Sequence, residues 1–134
     1  MAELRTYDDY LAMPDALSFE EACSIYRQII DNANTEDEDF EELWQDLMEV
    51  SVRYANIRGN WRLISREERM ETDDQRTACH NSVITRMNAL ARCMKMKGWD
   101  DAWRERLGAD ERLHRKRIGD FACFLAFIYS VNAR

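Results

Sequence analysis

Polar side chains recur every fourth residue in one part of the chain. Arg76, His80 and Asn88, with Ile84 between them, fall close to one face of a helix, because side chains four apart are neighbours there. Thr77 and Asn81 extend that face. Asp120 stands inside the apolar stretch IGDFACFLAFIYSV, where an unpaired carboxylate is costly. It requires a partner, and Arg76, His80 and Arg117 are the candidates. His80 with Asp120 would make an acid–base pocket, since an imidazole changes charge near neutral pH. The plainer expectation is a buried polar network of Arg76, His80, Asn88 and Asp120 that fixes helix register. A single histidine with no convincing nucleophile favours the plainer one. The chain also has no Gly-rich phosphate loop, nucleophile elbow or HExxH, so it reads as non-enzymatic, with no catalytic residue assigned.

Metal chemistry has little support. Cys79 and His80 are adjacent and point about 100° apart on a helix, so they do not chelate together easily. No Cys or His pair has zinc-finger spacing. The acidic run TEDEDFEE lacks the central Gly and alternating ligands of a calcium loop. Neither metal nor cofactor is expected. Cys23, Cys79, Cys93 and Cys123 sit at core-facing helical positions without a CxxC pair. They read as buried thiols in a reducing cytoplasm.

Charge is divided along the chain. The net charge of −7 separates into −13 over residues 1–50 and +6 over residues 51–134. The acids between Glu36 and Glu49 cover the outside of one helix. Glu38, Glu41, Glu42 and Asp46 are therefore either a solvated face or a docking surface for a basic partner. The basic segment ERLHRKRIGD supplies Arg112, Arg115, Lys116 and Arg117. These could grip a phosphate backbone. The favoured reading pairs them internally, or across subunits, with the acidic second helix. Trp99 and Trp103 lie beside Arg104 and Arg106; packing in the core or at its rim is preferred to base stacking.

The elements that must position these residues are helical. Ser18 and Glu21 have capping-box spacing, and Phe19, Ala22, Cys23, Tyr26, Ile29, Ile30 and Ala33 follow at helical intervals, which predicts a helix over 19–33. Thr35 with Glu38 offers a second box, and a second helix runs to about Arg58 and stops near Gly59. Residues 60–71 are ambiguous, although Ser65 and Glu68 could start a short helix. Thr72 is expected to cap a long helix over 73–97, and a short helix follows over 100–107. Asp110 opens the last helix, which is charged to Arg117 and apolar almost all round from Ile118 to Val131. A helix apolar all round is surrounded by protein. The sequence thus predicts one all-α domain over 1–134, an irregular bundle of four to five helices around a buried C-terminal helix.

Composition agrees. One Pro and four Gly in 134 residues leave too few turns for a multi-stranded β fold. The first residues, MAELRTYDDYL, are acidic and lack the apolar stretch of a signal peptide, and no apolar run reaches membrane-spanning length.

The segments RTACHNSVITRMNALAR and RKRIGDFACFLAFIYSVNAR resemble a family of small, uncharacterised helical proteins of Gram-positive gut bacteria and their mobile elements. The resemblance covers roughly residues 76–131 and is carried by Arg76, His80, Asn81, Asn88, Arg117, Gly119 and Asp120. It brings no agreed activity. A small acidic protein from a mobile element would be expected to bind a host machine, as an anti-CRISPR or other anti-defence inhibitor does. The leading expectation is thus a protein-binding module whose acidic helix engages a basic groove, one belonging to a nucleic-acid-handling complex. Rival readings are a nucleic-acid-binding regulator using the basic start of the last helix, and an enzyme centred on His80 and Asp120. A homo-oligomer is compatible with all three.

Overall fold

The computed structural model describes residues 16–108 and 115–132. Five helices make up the described chain, with no strand among those residues: α1 (Phe19–Asn32), α2 (Glu38–Asn60), α3 (Arg66–Met96), α4 (Trp103–Arg106) and α5 (Arg115–Asn132), plus a single 3₁₀ turn at Trp61–Leu63. The all-α bundle is as the sequence predicts. The long α2 packs along both α3 and α5, whereas α3 and α5 meet over a shorter stretch. Apolar side chains from every helix enter one core, including Ile25, Leu47, Met87, Trp103 and Phe121.

Local chemistry sets the helix boundaries. The Ser18 hydroxyl accepts a hydrogen bond from the Glu21 N–H at 3.1 Å, which caps α1 as expected. The second cap differs from expectation. Asp37, not Thr35, is the N-cap of α2, its carboxylate accepting from the Phe40 N–H at 3.1 Å. Asn34 holds the preceding turn by accepting from the Glu36 N–H, which moves the helix start along by two residues. The ambiguous stretch also resolves. Ser65 caps α3 by accepting from the Glu68 N–H at 3.1 Å, and the helix runs unbroken through Thr72. That threonine does not cap, because its hydroxyl donates back to the Glu68 carbonyl at 2.6 Å, a bond available inside a helix. At the far end of α3 the chain leaves through Gly98, at φ +80°, with the Trp99 N–H reaching the Met94 carbonyl at 2.8 Å. This is a left-handed glycine stop.

The C-terminal helix divides in two. Ile118, Phe121, Ala122 and Leu125 are fully buried, but Phe127, Tyr129 and Val131 are exposed. The all-round apolar pattern therefore marks enclosure for the first half only; the last turns carry apolar surface that no described element covers. The predicted start at Asp110 lies outside the described residues.

A surface lock ties the start of α2 to the end of α3. Lys97 Nζ donates to Asp37 at 2.9 Å and to Asp39 at 3.1 Å. The hydrogen bond from Lys97 holds the Asp37 carboxyl below its ordinary value of 3.8, and Asp37 and Asp39 raise Lys97 above 10.5. A depressed carboxyl stabilises the fold above its unfolded pKa and loses that effect as pH falls through the folded value. A raised ammonium stabilises below its unfolded pKa and loses the effect as pH rises through the folded value. Lys97→Met should consequently lower Tm across the neutral range. Its deficit relative to the parent should shrink as pH drops below about 3.8 and again above about 10.5, as thermal scans against pH will read. A deficit independent of pH would assign the loss to packing of the lysine stem instead.

Candidate functional site

Asp120 has two charged partners and two backbone donors. Arg58, in the last turns of α2, donates to Oδ1 at 2.7 Å, and Lys116 Nζ lies 3.9 Å from the same oxygen. The Ala16 and Leu17 N–H groups donate to Oδ2 at 2.8 and 3.2 Å. The carboxylate is nearly buried, its side chain 8% exposed. Arg58 also reaches the Cys123 sulfur at 3.6 Å. Burial pushes the Cys123 thiol up, with the Arg58 charge opposing it, so the sulfur stays a thiol at neutral pH.

The predicted network of Arg76, His80, Asn88 and Asp120 does not assemble as one unit. Arg76 donates to Asp73 at 3.0 Å and to the Thr77 hydroxyl at 2.7 Å. Asn88 is on the surface, accepting from Arg104 at 2.8 Å. His80 is buried, its ring edge-on to Tyr54 at 5.2 Å. The four-residue period did place Arg76, His80 and Asn88 on one helix. That helix is long enough for the three to meet three different surroundings. Asp120 is paired, as its apolar setting requires, but with cations other than the predicted Arg76, His80 or Arg117.

Of the basic patch, the two residues whose side chains are described, Lys116 and Arg117, are both engaged by the fold. Lys116 is 2% exposed and faces Asp120. Arg117 donates to the Ala16 and Arg106 carbonyls at 2.8 and 2.7 Å and reaches Glu21 at 2.8 Å. The hydrogen bonds from Arg117 hold Glu21 below its ordinary pKa. Internal pairing is therefore the outcome for these two, though with α1 and α5 rather than with the acidic α2 face. Arg112 lies outside the described residues, as does the side chain of Arg115. Trp103 is fully buried, and its indole N–H donates to the Met94 sulfur at 3.3 Å. Trp99 packs edge-on to Phe40 at 6.1 Å. Neither ring is a free platform for bases. A fluorescence-anisotropy titration with duplex DNA at low salt should show no binding at tens of micromolar, a range in which even non-specific contacts register.

The acidic residues stay together on the surface. Glu38, Glu41, Glu42 and Asp46, with Gln45, line a shallow depression of about 450 Å³ along α2. Among the described residues Glu38, Glu41 and Glu42 make no ion pair, and Asp46 has only a loose one with Arg86 at 3.9 Å. By contrast, Glu21, Asp37 and Asp120 are all engaged by cations of this chain.

A second, larger depression lies between the start of α1, the end of α2 and the face of α5. It measures about 970 Å³ and includes Phe19, Arg58, Arg62, Asp120, Cys123 and Phe127 in its lining. Spacing did not reveal Arg58 as Asp120's partner. The signal present in the sequence was the demand for a cation; nothing in one helix states which other helix crosses it.

No family model matches the chain, and neither curated proteins nor solved structures give a match. No described helix is long and apolar enough to cross a membrane.

Proposed function

We propose that this protein is a non-enzymatic binding module that engages a basic groove on a protein partner through the acidic face of α2. The observation that carries the reading is the contrast in how carboxylates are used. Where the fold needs a carboxylate, a cation of the chain meets it; Glu38, Glu41 and Glu42 are left without one, side by side on a rigid helix. A fixed row of carboxylates suits a surface built to receive phosphates, and complementary fields accelerate encounter. The partner chemistry that fits is the phosphate-binding groove of a nucleic-acid-handling protein. Inhibition by occupying such a groove is the mode an anti-CRISPR or other anti-defence protein would use.

Lysine substitutions at Glu38, Glu41, Glu42 and Asp46 together test this. All four positions lie at the surface, so the fold should persist. Glu38 and Glu41 belong to the first turn, where exchanging an acid for a base costs about 0.3–1 kcal/mol each through the helix dipole. Pull-downs from host lysate with parent and variant, each checked by circular dichroism, should differ in the basic proteins retained. The same basic proteins retained equally by both would refute the reading.

A further inference from the structure

The groove between α1, α2 and α5 plays no part in the acidic contact just described. Its lining includes the small residues Ala22, Ala55 and Gly59, and a Cβ placed on Gly59 would meet nothing within 4 Å. One wall is aromatic. The Phe19 ring stands edge-on to Phe124 at 5.4 Å and to Phe127 at 6.2 Å. Phe19 is nonetheless 64% exposed and Phe127 52%. Scattered exposed apolar side chains need no explanation, but adjoining ones lining a depression do. Arg62 also lines the groove; it is exposed and makes no ion pair among the described residues.

We propose that this groove seats an amphipathic peptide segment of a protein partner, with apolar anchors against Phe19 and Phe127 and a carboxylate on Arg62. Shape argues for a segment rather than a small molecule. Small-molecule sites enclose most of their ligand, whereas this depression is open and its aromatic side chains face solvent. A segment carried on a protein brings its own cover, and a helix laid in a groove presents anchors three and four residues apart. Charge fixes the sign. An exposed cation at an apolar site attracts an acidic residue and repels a basic one. The preference is opposite to that of the α2 face, so the two surfaces address different partners or different parts of one.

Short random peptides displayed on phage and selected on the full chain provide the test, with the enriched sequences then labelled and titrated by fluorescence anisotropy. The selected peptides should combine apolar residues three or four apart with Asp or Glu. Phe127→Glu should weaken them by about tenfold or more, the loss expected for a central aromatic anchor. Arg62→Glu should turn the preference from acidic to basic peptides. Both positions are exposed, and circular dichroism verifies that the variants fold. The lysine substitutions on α2 should leave peptide binding intact, which separates this result from the fate of the acidic-face reading. The proposal fails if no peptide is enriched, or if binding ignores both groove substitutions. It fails equally if dodecanoate alone binds with sensitivity to Phe127, which would make the groove a small-amphiphile site. A dimer in sedimentation that Phe127→Glu abolishes would assign the groove to a second copy of the chain and also overturn it.

Discussion

Asp120→Ala is expected to lower the unfolding free energy by about 3–5 kcal/mol, the range for removing one partner of a buried ion pair, as urea denaturation at neutral pH will measure. The size follows from what the carboxylate holds. It accepts from Arg58, lies beside Lys116, and receives the Ala16 and Leu17 N–H groups. Those contacts join α5 to the end of α2 and to the lead-in to α1. Alanine removes the 2.7 Å contact to the Arg58 guanidinium, itself 14% exposed, and strands two backbone donors. Asp120→Asn keeps the shape and one accepting oxygen but loses the charge, and should fall between parent and alanine. A double-mutant cycle with Arg58→Met separates the contributions. A coupling of about 0.5–3 kcal/mol is expected for groups in direct contact. Coupling near zero would place the cost in the two backbone hydrogen bonds instead. A total loss below about 1 kcal/mol, the usual range for exposed pairs, would mean that water replaces the carboxylate cheaply.

The demand for such a pair was legible in the sequence, and its geometry was not. A lone carboxylate among Phe121, Phe124 and Leu125 must be compensated wherever the helix packs. Which cation does so depends on how α2 crosses α5, and crossing angles are set by side-chain ridges on both helices rather than by either sequence alone. The same distinction applies to the candidate sites. The acidic face was readable because its four residues lie on one helix at local spacing, and the fold keeps them together at the surface. The basic segment was readable only as far as its internal pairing, and its partners were not. Lys116 and Arg117 are local neighbours of exposed-looking composition, yet the turn of α5 aims one at Asp120 and the other at Glu21. The groove was invisible, since Phe19, the stretch from Gly59 to Arg62, and Phe127 are distant in sequence and become neighbours only through packing.

The second large effect is expected at Trp103, where alanine should cost about 3–5 kcal/mol, as for other buried Trp or Phe truncations. The helix that carries it, α4, spans four residues, too few to persist by its own hydrogen bonds. It must be held by what it buries. Trp103 and Leu107 are both fully enclosed, and the indole N–H is satisfied by the Met94 sulfur at 3.3 Å. Polar ties assist from outside: Arg106 donates to Ser24 at 3.1 Å and to Gln28 at 2.8 Å on α1. These ties are at or near the surface and contribute less than the ring, because water competes for every such bond. Trp103→Phe, which retains most of the apolar body but loses the donor, should cost markedly less than alanine. Hydrogen exchange distinguishes two ways for the alanine variant to fail. If α4 is an appendage, exchange should accelerate only over residues 99–108 while α2 and α3 keep their protection. If Trp103 belongs to the common core, as its contact with Met94 implies, protection should fall across α3 and α1 together. The second outcome is expected, because the ring fills space between elements that share one core, and a void there removes packing partners from each of them.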